Sequence, residues 1–318
     1  MVEPAADGRD QRRNLLLLVL LGLVWGSAYP VIRYGIVSGA TPITFAAARY
    51  ALTALSIAGV AAVTRLPRPS ARAMVLSAVI GLPIVGVYGL LLYVGEQTTS
   101  GSLSAILIAV APFLTTLFAL SLLRGESVNR IGYIGLAAGF VGVIVLVAPP
   151  PGVQLATSIW GPIAVVGAAG SFALGSVLLR KWRPEGETLW GVSMQFVIAT
   201  VFLFALVPVL EPRPSLPITS PVLLSLAYLL VVPSTIGYVL YFYLHHRIGP
   251  GQTNVVAYIN PVAALSIGVL LFAEPFEWWE LAGFALILIG LTLLTRYGRP
   301  RLSPEGDRAG PGAGTGAR

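Results

Sequence analysis

Two arginines sit where an apolar chain has least reason to place a charge. Arg33 lies in the run "GLVWGSAYPVIRYG" (22–35) and Arg49 in "PITFAAARYALTAL" (42–55). A charged side chain at the centre of a membrane helix costs about 2.5 kcal/mol or more to insert. A guanidinium in turn offers a rigid fork of donors that fits a carboxylate or a phosphate. Two readings stand for each. Either the side chain lines a wet cavity and draws anionic groups, or it is structural. Arg33 would then snorkel from the outer end of its segment, and Arg49 would tie helix carbonyls together inside a bundle.

Other reactive chemistry is scarce. There is no cysteine, which removes disulfides, thiolates and cysteine-ligated metals. The two histidines, His245 and His246, are neighbours beside Arg247, so a multi-histidine metal site is not available. No metal and no cofactor is expected. No Walker A motif is present, so ATP does not drive the protein directly. The alternative to a carrier is a membrane-embedded transferase. It would need a nucleophile, a base or a metal cluster, and only His245 and His246 hint at one. No Asp or Glu falls in the core of an apolar segment. Glu126 and Glu274 close segments, where exposed or helix-capping carboxylates are usual, and Glu96 lies near a segment end. That pattern disfavours cationic substrates and predicts facilitated diffusion or weak coupling; ion coupling, if it exists, must use a group near a helix end such as Glu96.

These residues must be positioned by membrane helices. Of 318 residues, 56% are hydrophobic and 10% charged, and the mean hydropathy is +0.84. A soluble domain is about a quarter charged, so the bulk of this chain belongs in lipid. Ten apolar segments are long enough to span: 14–36, 42–63, 72–94, 99–122, 128–148, 157–180, 188–209, 219–244, 251–273 and 278–296. The basic start followed by "NLLLLVLLGLVWGSA" also fits a secretory leader, but the rest of the chain is equally apolar, and a first span is the better reading. With the N-terminus in the cytoplasm, 17 Lys and Arg residues fall on inner segments and only Arg213 on an outer loop. This bias predicts an even number of spans with both termini inside. It also accounts for the pI of about 9.9 as topology rather than nucleic-acid binding.

The halves repeat. "APFLTTLFALSLLRGESVNRIGYIGLAAGFVGVIVL" (111–146) parallels "NPVAALSIGVLLFAEPFEWWELAGFALILIGLTLL" (260–294), and Glu126, Gly135 and Gly142 match Glu274, Gly283 and Gly290 in spacing. Five spans per copy is odd, so the second copy enters the bilayer inverted. Inverted repeats build many secondary transporters, with the substrate near the midplane between halves. The expected fold is an all-α integral membrane protein of ten transmembrane helices in two inverted five-helix repeats.

Several stretches carry a family likeness: "WGSAYPVIRYG", "PITFAAARYALTAL", "TSGSLSAILIAVAPFLTTLFALSLLRGE" and "GLAAGFVGVIVL", then "GPGQTNVVAYINPVAALSIGVLLFAEP" and "LAGFALILIGLTLL". Over roughly 14–296 the chain resembles the drug/metabolite transporter superfamily, in its ten-span form with two EamA domains. It departs at Glu96, where many relatives carry an apolar or small residue, and near Ser171, where they carry tryptophan. The resemblance implies export or uptake of small metabolites, amino acids among them. The expected organisation is a cytoplasmic tail (1–13), a first EamA-type repeat (14–148), a linker (149–156), a second repeat (157–296) and a disordered cytoplasmic tail (297–318).

Polar and aromatic residues recurring in the apolar spans nominate a cavity: Trp25, Ser27, Tyr29, Arg33, Arg49, Tyr88, Ser104, Tyr238, Asn254 and Tyr258. Amphipathic rings with hydroxyls and amides suit a neutral, zwitterionic or anionic solute. Pro30 and the repeat-related Pro112 and Pro261 are expected to shape it. The expected partners are that solute and the lipid bilayer of the cell membrane. Monomer and homodimer are equally open.

The orientation is testable. A reporter fused after about residue 150 reads outside, and one at the C-terminus reads inside. A cytoplasmic signal at the first site overturns both the odd span number per half and the inversion.

Overall fold

The computed structural model describes residues 8–148, 158–182, 184, 188–253 and 255–298. Among them are ten apolar helices: α1 Asp10–Val37, α2 Pro42–Val63, α3 Ala71–Gly95, α4 Gly101–Leu122, α5 Arg130–Val147, α6 Trp160–Trp182, α7 Leu189–Leu210, α8 Ser220–Gly249, α9 Val256–Phe272 and α10 Trp278–Tyr297. No strand occurs among the described residues. The expected linker, most of the expected C-terminal tail and Asn254 lie outside them. α1 begins before residue 14 because its first turns are tied down: Arg247 meets Asp10 at 2.8 Å and Arg13 reaches Tyr243. α9 is shorter than expected: it begins at Val256, and the helical turn before residue 254 follows a kink at Gly249, φ 78°, that sets it apart from α8.

Helix ends pair into two layers of links. At the near end, which carries the chain termini, Trp190 Nε1 of α7 donates to Leu66 O after α2, at 3.2 Å. Asn129 N before α5 donates to Gly298 O after α10, at 2.9 Å. At the far end, Thr41 N before α2 donates to Ser215 O after α7, at 2.9 Å. The outward surface is apolar, with Leu55, Leu224, Leu270 and Leu271 exposed, as lipid contact requires.

The inversion is visible in the packing of α5 on α10. A Cβ on Gly135 would stand 2.6 Å from Gly290 O, and one on Gly142 would stand 2.7 Å from Gly283 O. Gly135 and Gly283 are repeat equivalents, as are Gly142 and Gly290. Each glycine therefore meets the equivalent of the other, which is what a two-fold axis between the helices produces. α2 and α7, the second helix of each half, pack on each other in the same way. The equivalence extends to π-helical turns at Leu82–Val87 in α3 and Leu230–Ile236 in α8, each built around a proline, Pro83 and Pro233. Such turns loosen the helix ladder, and each proline carbonyl accepts from the opposite half: Pro83 O from Ser171 Oγ at 2.7 Å, Pro233 O from Trp25 Nε1 at 3.1 Å.

The three expected shaping prolines behave differently. Pro30 follows the break at Ser27 that divides α1, and it is buried. Pro112 follows a tight turn at Ala109 and Val110 that divides α4 into Gly101–Ile108 and Ala111–Leu122. Pro261 lies inside an uninterrupted α9. The repeat-related pair is thus a break on one side only.

The glycine contact predicts a graded result. Gly142→Leu forces atoms into the α10 backbone and lowers thermal stability by about 1–3 kcal/mol, the usual cost of overpacking. Gly59→Ala, with nothing near its Cβ, leaves melting unchanged. Equal melting of the two variants would remove α5 and α10 as the seam between halves.

Candidate functional site

α1, α2, α3 and α8 bring most of the nominated residues to one place, between the two π-helical turns and toward the far end. Arg49 is its centre. It donates through Nη1 to Tyr93 Oη at 2.9 Å, and its guanidinium lies 5.8 Å from the Tyr50 ring centre. Its Nε is buried with no hydrogen-bond partner. Among the described residues no carboxylate stands within ion-pair distance of Arg49 or Arg33.

Aromatic rings wall the cluster. Tyr50 packs edge-on against Tyr93 and Phe196, and Phe196 against Tyr238. Tyr238 touches Trp25. Tyr88 and Tyr238 follow Pro83 and Pro233 at the same spacing, so the inverted repeat supplies one tyrosine from each half. The Tyr29 and Tyr88 hydroxyls meet at 3.3 Å. Gly89 makes room for this arrangement, because a Cβ there would run into the Tyr50 ring.

Arg33 sits nearer the far end and donates through Nη1 to the backbone carbonyl of Glu96. Ser104, on the first segment of α4, is fully buried, and its hydroxyl has no partner. Ser27 is engaged elsewhere: it donates to Val24 O at 2.8 Å and accepts from Tyr228 Oη at 2.7 Å, tying α1 to α8. Tyr258 lies apart and turns its hydroxyl to Thr295 of α10, at 3.4 Å. Tyr50, Tyr93 and Glu96 complete the cluster beyond the nominated set. Tyr50 directly follows Arg49, and a neighbour that a buried cation can lie over was the available signal. Glu96 reads as a loop residue because it follows the last apolar residues of α3, yet it is 0% exposed.

The far end above the cluster is shut by carboxylates on helix N-termini. Glu274, after α9, accepts from Gly101 N at 3.0 Å, Ser102 N at 2.8 Å and Ser102 Oγ at 2.5 Å, all in the first turn of α4. Gly268 leaves the room for this contact, since a Cβ there would collide with both partners. Glu211, after α7, accepts from Ile43 N at 2.6 Å and Thr44 N at 3.0 Å in the first turn of α2. Free N–H groups and the helix dipole favour an anion there.

The near end is arranged differently. Both segments of α4 pack on α6, and the first also packs on α9 and on the outer half of α1. Glu126, the repeat equivalent of Glu274, pairs with Arg180 of α6. A cleft of about 540 Å³ opens beside it, lined by Leu122, Leu123, Arg124, Glu126, Arg180 and Lys181. This cleft is a near-end opening and lies away from the arginine–tyrosine cluster, whose own side chains fill it. The far end is thus capped by the two carboxylates, and the near-end cleft does not reach the cluster.

A model of the EamA-like transporter family matches the chain twice, over residues 12–148 and 159–296. The chain is 29% identical to the uncharacterized inner membrane transporter YedA of Escherichia coli (strain K12), covering 87% of this chain and 89% of that protein. It is 28% identical to the uncharacterized transporter YvbV of Bacillus subtilis (strain 168), covering 89% and 91%. It is also 28% identical to a protein of Streptantibioticus cattleyicolor described as a probable terminal-alkyne amino-acid exporter, covering 88% and 92%. One crystal structure superposes with a TM-score of 0.60 at 18% identity, covering 90% of this chain and 97% of that one, which shows the fold alone.

The far-end cap gives a prediction. Glu274→Gln turns an amide N–H toward the α4 donors and lowers melting by about 1–3 kcal/mol, the usual cost of leaving buried donors unmet. Glu126→Gln, which loses only a part-exposed ion pair with Arg180, changes melting little. Equal losses in the two variants would show that the two ends are held alike.

Proposed function

The chain belongs to the EamA-like transporter family, and we propose that it exports a small amino acid-like metabolite across the cell membrane by alternating access. The observation that carries the solute class is Arg49. A buried guanidinium with an unpartnered Nε and no carboxylate in reach is expensive. An arriving carboxylate relieves that cost with a charge-assisted, two-toothed contact. The tyrosines around it supply apolar faces and hydroxyls for the rest of a zwitterion, one wall from each repeat. The probable amino-acid exporter among the relatives supports this choice of class.

The capped far end and the cleft at the near end support reading this conformation as one that takes up solute from the near end. With the termini in the cytoplasm, as the basic loops favour, this is the loading state of an exporter. Solute reaching Arg49 would draw the near end shut, and the far end would then part. The π-helical turns at Pro83 and Pro233 are the natural places to bend, since they lie beside the cluster and are related by the repeat. Family membership and the absence of any acid–base or nucleophile constellation in the cluster both favour a carrier over the transferase alternative.

The test is counterflow in proteoliposomes with a panel of amino acids, amines and sugars at equal pH on both sides. Exchange of at least one amino acid is expected, without exchange of its decarboxylated amine. Arg49→Ala lowers exchange at least tenfold while leaving melting within a few degrees. Exchange of amines with equal ease, or wild-type rates in Arg49→Ala, would sink the carboxylate assignment.

A further inference from the structure

Glu96 is a buried ionisable group that the proposed carrier does not use. It ends α3, it is fully buried, and neither of its carboxyl oxygens has a hydrogen-bond partner. The Ser104 hydroxyl lies beside it without reaching hydrogen-bond geometry. The groups facing it come from several elements. α1 contributes Arg33, whose guanidinium is held on the Glu96 backbone carbonyl, and Tyr29. α2 contributes Arg49, α3 itself Tyr88 and Tyr93, and the link after α9 Glu274. The stretch of α6 packed on the end of α3, from Trp160 to Ala173, carries no ionisable side chain. Among the described residues neither arginine comes within ion-pair distance of the Glu96 carboxyl.

A carboxylate taken out of water with no donor costs several kcal/mol, and such a group takes up a proton instead. Burial is the first cause here and pushes the Glu96 carboxyl up from its ordinary value. The negative charge of Glu274 beside it acts in the same direction, against the pull of Arg33 and Arg49. The far-end contacts lie over it: Glu274 is seated on Gly101 and Ser102 at the link between α3 and α4, and Gly101 packs on the backbone of Pro30.

We infer that Glu96 is a proton-binding site of the far gate: it holds a proton whenever the far end is closed and gives it up to water when the far end opens. The proton passes between bulk water on the far side and a carboxyl oxygen of Glu96, and no other bond changes. The sign follows. A group whose proton affinity is raised in the closed state favours that state at low pH, and the preference is lost as pH rises through its closed-state value. Far-side acid therefore holds the gate shut, and far-side alkali lets it open. Ionic Glu96 in the open state would be hydrated and next to Arg33.

This inference rests on the transporter reading, and its test separates the two. The chain has no cysteine, so spin labels at Gln97→Cys and Phe276→Cys, exposed sites on either side of the gate, report the far-end distance in nanodiscs. Between about pH 5 and pH 9, the expected result is one short distance at low pH and a growing longer one as pH rises. In Glu96→Gln the short distance persists throughout, and in Glu96→Asp the transition remains at a displaced pH. An unchanged transition in Glu96→Gln, or no transition with Glu96 intact, overturns the inference. Should Glu96→Gln fail to fold, a transition displaced in Glu96→Asp supports it and one at the wild-type pH overturns it. Counterflow at each pH is measured alongside. A distance switch without any counterflow upholds Glu96 and defeats the transporter reading. Counterflow without a switch does the reverse.

Discussion

The close antiparallel contact of α5 and α10 sets the rest of the molecule. In lipid the hydrophobic effect does not drive helices together, so association relies on packing and on internal polar contacts. Gly135, Gly142, Gly283 and Gly290 let two backbones touch with no side chain between them. Because the four are repeat equivalents in pairs, the contact fixes a two-fold axis, and two inverted halves then meet in register. α2 against α7 extends that seam. The facing π-helical turns of α3 and α8, with Tyr88 and Tyr238 just beyond them, are a consequence. A cluster at the axis draws a matching residue from each half without any local motif specifying it.

Symmetry also explains why the carboxylates matter. A symmetric bundle has two equivalent ways to close, one at each end, and something must distinguish them. Glu274 and Glu126 occupy equivalent places, yet one is seated on the first turn of α4 and the other on Arg180. The far-end contacts are partly buried bonds to backbone N–H groups. At the near end the carboxylates instead join exposed ion pairs with Arg13, Arg247 and Arg180, which salt screens and which contribute little, beside the backbone links at Leu66 and Gly298. The difference favours a resting state closed at the far end.

Much of this was legible in the sequence, for definite reasons. The ten helices follow from apolar length, and the inversion from an odd span number with repeated Glu and Gly spacing. Arg49 stood out because a charge in an apolar run has no cheap explanation. Trp25, Tyr29, Tyr88 and Tyr238 were found because each is amphipathic at mid-span. Ser27 stands apart from the cluster, its hydroxyl engaged between Val24 and Tyr228, and hydrogen-bond partners across helices leave no mark in one segment. Tyr258 likewise turns its side chain to α10. Glu96 was the reverse case. It follows the last apolar residues of its span and stands out in the sequence only as a group near a helix end that could serve coupling; the packing of α1 and α4 over it is what shows it buried.

Glu96 and Arg49 together show how such a bundle handles charge. Neither is paired with the other, although both are buried in the same region and of opposite sign. An intimate pair would satisfy both and leave nothing for a solute or a proton to do; it would also lock α2 to α3 by several kcal/mol, the usual loss when a buried pair is broken. Held apart, each group stays costly in the closed state, and each cost is relieved by a different event. On the proposed function, Arg49 would be relieved by the carboxylate of an arriving solute. Glu96 would be relieved by a proton, or by water when the far end opens. An unpaired cation below the gate and a carboxyl within it would then let the two ends of the path respond to different chemistry, which a symmetric backbone alone could not do.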